Sequence, residues 1–383
     1  MHQYSQGKNH TQGHKGIPEG QFEEEHGRKG FYGPVSHLLK DKAPTRWTSI
    51  EGPLKPHLYD LVPCQYDIGK WNRLLFNNDV VIYSQWNKKT ESLRSNANDS
   101  SKGKTVLPAL RNVDGETLYF VHTGSGKVLT EYGLLKFKVG SYVSIPKSLH
   151  HTIIFDEDTQ FLIIESLVGM YREPDRGMVG RNAFYDLAAL GKPNLEELYQ
   201  YKKDNGIESL EINIRRAGAI TKFTYDACVY DTVSWKGDYF PFTLHIDDMM
   251  PMMSHRVHLP PSTHTTFAAN GFVVCTFLPR LIETDKDALK VPFYHQNIDY
   301  DEVLFYHAGN FFSRDNLHAN MMTFHPAGMP HGPHPKAFAA AAANPKTFTD
   351  EVAVMIDTQR PLQVDPYIEK TEVNSYWQSW MKK

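Results

Sequence analysis

Short apolar runs, rich in β-branched and aromatic residues, recur along most of the chain and are separated by turn residues. The clearest of these runs are 80–83, 117–121, 161–164, 271–274, 303–306 and 352–356. A polar segment at 96–103 falls between two of them and is expected to be an exposed loop. Evenly spaced runs of this length with few helical patterns are typical of β-sandwiches and barrels. The pattern therefore predicts a mainly β protein with two barrels and a few short helices.

One helix is well marked between the two sets of runs. Asn194 is a suitable N-cap, and Glu197 follows it at the capping-box position. Lys202 and Lys203 lie where a last turn favours positive charge, and Gly206 can close the helix in a left-handed conformation. We expect this helix to mark the joint between the two halves of the chain.

The first 56 residues follow a different pattern. They are rich in Gly, Pro, His and Glu and lack a sustained helical period. Such a segment predicts an extended arm punctuated by turns, and an arm must lie on other surface to be ordered. It is therefore compatible with subunit contacts. The predicted domains are the arm at 1–56, a first barrel with its linking helix at 57–206, and a second barrel at 207–383.

An internal repeat supports two barrels. Residues 114–124 resemble residues 300–309, and each copy is followed by a turn in which a histidine comes after a proline. In the first copy that turn runs from Pro146 to His150, and in the second it is Pro330-His331. A repeat at this distance indicates two copies of one small barrel rather than a solenoid. An acidic residue opening a strand, a glycine turn, a return strand and a terminal histidine are the elements of a cupin-type barrel or jelly roll.

The second copy carries a candidate metal site. His295, Glu302 and His331 supply two imidazoles and one carboxylate from neighbouring strand ends and a later turn. This set leaves up to three positions open on an octahedral ion and is the arrangement of non-haem Fe(II) oxygenases. The prolines around His331 stiffen its turn, which favours a preformed site. The sequence therefore predicts a mononuclear Fe(II) centre.

Neighbouring residues compete for two of these roles. Asp299 and Asp301 are alternatives for the carboxylate, and His325 and His334 are alternatives for the third ligand. Successive strand side chains face opposite ways, so Asp301 and Glu302 cannot both point inward. We choose Glu302 because the repeat preserves a glutamate there.

The first copy lacks the complete set. Leu110 stands where the second copy has His295, and a leucine cannot ligate a metal. The first barrel is therefore expected to be metal-free. Glu116, His150 and His151 are expected to have structural or hydrogen-bonding roles.

The composition and charge of the chain limit the kinds of partner that it is expected to bind. A chain of 383 residues has room for about two domains. A formal net charge of -3, with basic and acidic residues interspersed, does not favour nucleic-acid binding. No apolar run is long enough to cross a bilayer and the N-terminus has no apolar signal core, so no membrane partner is expected. The three dispersed cysteines predict a reducing compartment, and we expect the protein in the cytoplasm.

Several segments resemble one known family. The segments 294–297, 301–303 and 331–333 are similar to homogentisate 1,2-dioxygenases, and the arm at 16–37 resembles short bacterial members. The resemblance extends to 235–239, 258–262 and 354–362, so it covers most of the chain intermittently.

This resemblance implies a fold, a reaction and an assembly. It implies a bicupin with iron at His295, Glu302 and His331, which converts homogentisate and O₂ to 4-maleylacetoacetate in tyrosine and phenylalanine catabolism. It also implies that His258 acts as an acid/base at the substrate, and that the chain forms a homo-oligomer, a hexamer of two trimers.

The substrate side departs from the family at two positions. Phe311 stands where the family has a tyrosine that helps to hold the substrate carboxylate, and Phe311 has no hydroxyl to donate. Arg314 replaces a lysine and could hold the carboxylate with two hydrogen bonds. We assign Arg314, Phe311 and His331 to the substrate-binding side.

Three alternatives stay open. Phe311 leaves room for another hydroquinone or aromatic acid as substrate of a ring-cleaving dioxygenase. A non-catalytic bicupin that only binds a metal or ligand is a second alternative, although such a protein gains little from three open positions on a metal. A third is an isomerase that uses Mn or Zn, because this ligand set does not select iron by affinity alone.

Overall fold

The computed structural model describes residues 4–91, 105–290, 292–314, 316–343 and 345–381, which form two compact units. The C-terminal unit consists of Met1–Val62, Glu173–Arg176 and Pro251–Lys383. The middle unit consists of Pro63–Arg172 and Gly177–Met250. The polar loop expected at 96–103 lies outside the described residues.

Strands dominate both units, which confirms the predicted mainly β fold. In chain order, the strands are β1 (Phe22–Gly27), β2 (Val35–Lys40), β3 (His57–Asp60), β4 (Asn72–Phe76), β5 (Val80–Asn87), β6 (Thr105–Asn112), β7 (Glu116–Thr123), β8 (Gly126–Thr130), β9 (Gly133–Phe137), β10 (Ser141–Ile145), β11 (His150–Phe155), β12 (Thr159–Ser166), β13 (Ile207–Arg216), β14 (Ala219–Phe223), β15 (Phe242–His245), β16 (Thr265–Ala269), β17 (Phe272–Phe277), β18 (Arg280–Leu281), β19 (Tyr294–Asn297), β20 (Asp301–Ala308), β21 (Met321–His325), β22 (Phe348–Thr349), β23 (Val352–Thr358) and β24 (Gln363–Val364). All six apolar runs that predict strands fall within or overlap these elements.

The helices are few and short. They are α1 (Leu195–Asn205), α2 (Pro335–Ala343) and α3 (Pro366–Glu369), with 3₁₀ turns at Val62–Tyr66, Gly177–Val179, Leu187–Ala189, Ile246–Asp248, Pro261–His264 and Tyr376–Trp380. In the described part of the chain, no helix is long and apolar enough to cross a membrane.

The middle unit is a sandwich of two sheets. One sheet contains strands in the order β15-β10-β7-β12-β5-β4, and the other has the order β14-β13-β6-β11-β8-β9. Alternate side chains of a strand share one face, so Tyr119, Val121 and Phe161 of the first sheet point inward together. They pack in one buried cluster with Val128 and Phe137 of the second sheet. Burying each such side chain contributes roughly 1.5–3 kcal/mol, which makes this layer the core of the unit.

Helix α1 forms as the sequence predicts. The Asn194 side chain accepts a hydrogen bond from the backbone N–H of Glu197, and Gly206 ends the helix with φ of 61°. Its buried residue Leu198 packs with Ile207 and Leu210 of β13. The helix therefore covers strands of the middle unit.

The C-terminal unit repeats the strand order of the middle unit. Its main sheet has the order β16-β17-β23-β20-β21-β3, and two smaller sheets have the orders β19-β1-β2 and β18-β22. The run β16-β17-β23-β20-β21 corresponds strand for strand to β4-β5-β12-β7-β10 of the middle unit. The repeated segments become β7 and β20, which occupy equivalent places. Two jelly rolls of one type account for the internal repeat.

The arm and the domain boundary differ from the sequence interpretation. Part of the arm is not merely extended, because β1 and β2 form a hairpin and β1 pairs in parallel with β19. The predicted boundary between 206 and 207 lies inside the middle unit, since β13 pairs with β6 along its length. Residues 207–250 thus group with the first barrel, and independent folding of the three predicted domains stays a prediction.

Candidate metal centre

Three elements of the C-terminal unit bring the predicted ligands together. His295 lies on β19, Glu302 is the second residue of β20, and His331 precedes α2. The backbones of His295 and His331 pair with each other through two N–H···O bonds of 2.9 Å. This pairing fixes the turn that carries His331 against β19.

The donor atoms of the three side chains converge on one point. His295 Nε2 lies 3.5 Å from Glu302 Oε2, and His331 Nε2 lies 3.4 Å from Glu302 Oε1. The two imidazole ring centres are 4.0 Å apart. All three side chains are buried. Their spacing permits one metal ion to contact all three residues.

Hydrogen bonds on the far side of each ring aim the histidines. His295 Nδ1 donates to the carbonyl of Phe293 at 3.2 Å, and His331 Nδ1 donates to the carbonyl of Met329 at 2.9 Å. Each Nε2 therefore carries the lone pair, and each is buried with no hydrogen-bond partner. Metal-bound histidines characteristically donate their other ring nitrogen in this way. The residues fit a divalent metal ion.

The protonation states also suit ligation. Burial alone would raise the pKa of the Glu302 carboxyl, but the interaction with His331 and the hydrogen bond from His325 hold that pKa well below its usual range. Burial, reinforced by His295, lowers the pKa of His331. A carboxylate and neutral imidazoles are the forms that bind metals.

The competing carboxylates are engaged elsewhere. Asp301 accepts hydrogen bonds from the backbone N–H groups of Ala327 at 2.8 Å and Leu362 at 2.7 Å. Asp299 accepts one from the Arg28 side chain at 2.9 Å. Both carboxylates hold loops in place, which favours Glu302 as the ligand.

The competing histidines support the centre. His325 Nδ1 donates to Glu302 Oε1 at 2.9 Å, and its ring stacks on His331 with centres 4.5 Å apart. Burial lowers the pKa of His325 to about 3, which keeps it neutral. The His334 ring packs edge-on against Trp380, 4.4 Å between centres. The contacts of His325 orient Glu302 and His331, and the geometry favours His331 as the third donor.

The first barrel offers no equivalent. Leu110 occupies the first position, and Glu116 accepts a hydrogen bond from the backbone N–H of Lys147 at 3.0 Å. His151 Nε2 lies 3.1 Å from the hydroxyl of Tyr119. Among the described residues of the middle unit, no three His, Cys, Asp or Glu side chains converge on one point. These positions agree with the structural roles expected from the sequence.

Two of the candidate metal ligands, His295 and Glu302, border a cavity in the C-terminal unit. Its other lining residues include His258, Phe293, Tyr306, Arg280, Lys290, Arg314, Glu283 and Glu351. The lining thus combines aromatic rings with three basic side chains. Such a cavity can receive a flat ring that bears an anionic group.

His258 lies at this cavity beside a carboxylate that sequence reasoning missed. His258 Nδ1 is 3.1 Å from Glu283 Oε1, and Glu283 is mostly buried. Burial alone would raise the pKa of Glu283, but His258 holds it below its ordinary value. An ionised carboxylate at one ring nitrogen leaves the other nitrogen to exchange a proton.

Arg314 and Phe311, which we assigned to the substrate-binding side, lie in different surroundings. Arg314 lines the cavity, donates to the carbonyl of Gly332 and lies over the Trp380 ring. Phe311 is not among the described residues that line the cavity; it packs in the core, 4.7 Å from Tyr306 between ring centres. The direct substrate contact that we assigned to Phe311 therefore stays a prediction.

A second acid lies beside the metal ligands and was also missed. Asp357 on β23 is opposite Glu302 in the strand register and is fully buried. Burial and the neighbouring Glu302 charge raise its pKa well above the usual range. In the sequence, the presence of an aspartate within the apolar run of β23 could have pointed to this residue.

Comparison with known proteins agrees with this geometry. The profile of the homogentisate 1,2-dioxygenase N-terminal family matches residues 96–246, and that of the C-terminal family matches residues 243–383. A candidate dioxygenase of Saccharolobus solfataricus is 30% identical over 374 residues, which cover 94% of this chain and 92% of the relative.

More distant relatives carry the same name as the profiles. A homogentisate 1,2-dioxygenase of Dictyostelium discoideum is 25% identical, over 70% of this chain and 64% of the relative. One of Drosophila melanogaster is 24% identical, over 73% of this chain and 66% of the relative. The match therefore spans only about two thirds of the length of each of these two named enzymes.

Among solved structures, a cupin 2 conserved barrel domain protein of Leptotrichia buccalis matches with a TM-score of 0.33 and 9% identity. That match covers 80% of this chain and 96% of the other.

Proposed function

This chain belongs to the homogentisate 1,2-dioxygenase family, and from that premise we propose that it is an Fe(II)-dependent dioxygenase that opens the ring of homogentisate. The product would be 4-maleylacetoacetate, which contains both atoms of O₂. One observation supports the proposal above others: two buried histidine Nε2 atoms without hydrogen-bond partners face the Glu302 carboxylate at 3.4 and 3.5 Å.

His295, Glu302 and His331 would hold the ion. Bound Fe(II) would supply open coordination positions for a substrate hydroxyl and O₂, together with the redox chemistry of ring opening. With two neutral imidazoles and one carboxylate, the site keeps a net charge of about +1, which favours an anionic substrate oxygen. His325 holds Glu302 through a hydrogen bond, so the ligand geometry is set in advance.

The other side chains of the cavity would bind substrate and move a proton. His258, held by Glu283, can accept the proton of a ring hydroxyl. Phe293 offers an aromatic wall, and Arg314 can hold the acetate group of the substrate. His331 would border the substrate from the metal side.

A ring-cleaving dioxygenase for another hydroquinone or aromatic acid is the second candidate. Arg280 and Lys290 line the cavity together with Arg314, so three basic side chains could hold an anionic group. This arrangement leaves the position of an anionic group on the ring open.

Assembly and location are also proposals. The arm at 1–56 is compatible with subunit contacts, and the family resemblance implies a hexamer of two trimers, so we propose a homo-oligomer, with a hexamer as the expected form. Cys64, Cys228 and Cys275 are buried and form no disulfide with one another, which supports a reducing compartment such as the cytoplasm.

Oxygen consumption tests the proposed activity. The protein is loaded anaerobically with Fe(II), and O₂ uptake is followed with homogentisate, gentisate, hydroquinone and methylhydroquinone, with product absorbance recorded in parallel. We expect uptake equimolar with homogentisate and the highest kcat/KM for that substrate. Highest kcat/KM for another ring would favour the second candidate, and no uptake with a fully loaded site would refute both.

Matched variants of adjacent carboxylates test the ligand. Glu302→Ala should abolish iron retention, because it removes the only carboxylate among the three donors. Asp301→Asn should retain iron, since the Asp301 side chain accepts hydrogen bonds from backbone N–H groups of two loops and does not face the ion. Iron content by elemental analysis decides, and the reverse pattern would show that the ligand is misassigned. If the protein loaded with Mn or Zn catalyses an isomerisation and takes up no O₂, an isomerase is favoured instead.

A further inference from the structure

A second group of metal-ligating side chains lies in the arm. The arm cluster consists of His10, His14, Glu23, Glu25 and His37. Like the predicted iron centre, it belongs to the C-terminal unit, but it shares no residue with that centre.

Strand geometry explains why these residues meet. Glu23 and Glu25 alternate with one residue between them on β1, so their side chains share a face. His37 on β2 is directly opposite Glu25 in the antiparallel register. His14 reaches the same face from the turn before β1, where its backbone N–H donates to Glu23 Oε2 at 2.8 Å.

The Glu23 carboxylate lies among three imidazoles. Its Oε1 is 2.5 Å from His37 Nδ1 and 3.1 Å from His10 Nε2, and its Oε2 is 3.3 Å from His14 Nδ1. The second carboxylate completes the group, with Glu25 Oε2 at 2.9 Å from His14 Nε2 and 3.7 Å from His37 Nε2.

Most of the cluster is buried, and two of its ring nitrogens have no hydrogen-bond partner. Glu23 is 2% exposed, and Glu25 and His14 are each 5% exposed. His14 Nδ1 faces Glu23 with no hydrogen-bond partner, and His10 Nδ1 is also buried without one. Two buried carboxylates need positive charge nearby, and a buried ring nitrogen without a partner costs free energy unless something binds it.

The donor spacing matches that of the predicted iron centre. Ligands about 2.0–2.2 Å from one ion lie roughly 3.0–3.5 Å apart in octahedral or tetrahedral geometry. The donor atoms of His14, Glu23 and His37 lie within 4.8 Å of one another, as do those of His295, Glu302 and His331, and these are the two such groups among the described residues. Small side-chain shifts would bring the arm donors to ligand spacing.

We propose that His14, Glu23 and His37 bind a divalent transition-metal ion, with His10 or Glu25 as a further ligand. Imidazole nitrogen and carboxylate oxygen together suit ions such as Zn²⁺. Four protein donors would fill a tetrahedral shell and leave no open position, which is the pattern of a structural site.

The location gives the ion a specific effect. β1 runs parallel to β19, with Glu25 opposite the iron ligand His295. The His14 ring stacks on Phe293 with centres 4.0 Å apart, and the Phe293 carbonyl accepts the hydrogen bond that orients His295. An ion in the arm cluster would therefore hold the arm against the strand that positions the iron.

Zinc stoichiometry tests the proposal on the full chain. Metal-free protein is treated with excess Zn²⁺, desalted and analysed for zinc, using Zn²⁺ as a probe for both centres. We expect about two ions per chain in the wild type and about one in Glu302→Ala, which retains the arm ion. Glu23→Gln should also hold about one, because it keeps the volume of the side chain but removes its charge.

Glu24→Gln is the matched control. Glu24 is buried on the same strand but faces away from the cluster, where it accepts hydrogen bonds from Lys40 and Gln296. This variant should bind the same zinc as the wild type. Two ions in Glu23→Gln, or one in the wild type with none in Glu302→Ala, would overturn the proposal and leave the cluster as a hydrogen-bonded network.

A second measurement tests the proposal if Glu23→Gln does not fold. In that case, the zinc content and the Tm of Glu302→Ala decide whether the arm cluster binds an ion. An ion that binds only the folded state raises its thermal stability. We expect Zn²⁺ to raise the Tm of Glu302→Ala, and an unchanged Tm with no bound zinc would refute the arm site.

Discussion

At the scale of single residues, the chemistry depends on pairs in which one side chain sets the state of another. Phe293 and Met329 carbonyls fix the tautomers of the two ligand histidines, and His325 holds Glu302. In the same way, Glu283 lies at Nδ1 of His258. The reacting groups are therefore oriented before substrate arrives.

The His258–Glu283 pair gives a kinetic prediction. His258→Gln should lower kcat by about 10²–10⁴-fold, which is the usual contribution of a positioned acid/base. Glu283→Gln should lower kcat by a smaller factor and shift the pH profile of kcat/KM, because it changes the charge beside the imidazole. Steady-state kinetics of iron-loaded variants measure both effects. Unchanged pH profiles would limit Glu283 to a structural role.

Arg314 gives a prediction on binding. Arg314→Gln should raise KM for homogentisate by about 10–100-fold, since a hydrogen-bonded charge contributes roughly 1.5–3 kcal/mol. The KM for methylhydroquinone, which lacks the carboxylate, should change little. Arg280→Gln removes another positive charge from the same cavity and serves as the comparison. A larger effect in Arg280→Gln would move the carboxylate site there.

The sequence predicts some of these residues and hides others. His295, Glu302 and His331 stand out because the internal repeat supplies a copy in which Leu110 replaces a ligand. Glu283 gives no signal, since its contact with His258 forms only when two loops fold together. The burial of Phe311 follows from packing of β20 against the C-terminal 3₁₀ turn, which its own neighbours do not reveal.

At the scale of elements, the turn between β21 and α2 determines where His331 points. Gly332 follows the ligand with φ of 155°, and a Cβ there would lie 2.6 Å from Tyr294 Cδ1 and 2.9 Å from Tyr294 Cα. Only glycine lets this turn approach β19 so closely. The approach in turn permits the backbone pairing of His295 with His331.

Gly332→Ala should therefore weaken iron binding in a folded protein. The added methyl group pushes the turn from β19 and displaces His331, so we expect at least about a tenfold loss of iron affinity. Gly328→Ala is the control, because Gly328 also has a positive φ but no atom within 4 Å of the added Cβ. Fe(II) titration compares the two. Equal loss in both variants would mean that backbone strain alone is responsible.

The arm contains a strand, β1, that the sequence pattern does not predict. The barrel strands and α1 follow from alternation, capping and turn residues, and the structure confirms them. Strand β1 is hidden because its sequence, FEEEHG, has three consecutive glutamates, which disfavour a buried strand. Histidines and a lysine elsewhere in the arm contact those carboxylates, and such pairing is invisible until the chain folds.

At the scale of the whole molecule, the two barrels have diverged in what they bury. The C-terminal unit groups its histidines around a candidate metal centre, whereas the middle unit buries His151 against Tyr119. Burial lowers the pKa of His151 to about 4. The middle unit therefore holds a neutral histidine as part of its core.

Stability should decrease in acid because of His151. In the unfolded chain its pKa is about 6.5, so between pH 6.5 and 4 the unfolded state binds a proton that the folded state does not. His151 should thus remove up to about 1.4 kcal/mol of unfolding free energy per pH unit as pH falls through this window. Urea unfolding of His151→Gln should show a shallower dependence. An equal slope in both proteins would contradict the neutral state of His151.

Oxygen-18 labelling tests the central claim most directly. Iron-loaded protein is given homogentisate under ¹⁸O₂, and the product is analysed by mass spectrometry with a rapid quench. We expect ring-opened product with two ¹⁸O atoms, formed by the wild type and absent with Glu302→Ala. Product with no ¹⁸O, or unreacted homogentisate after full iron loading, would contradict it.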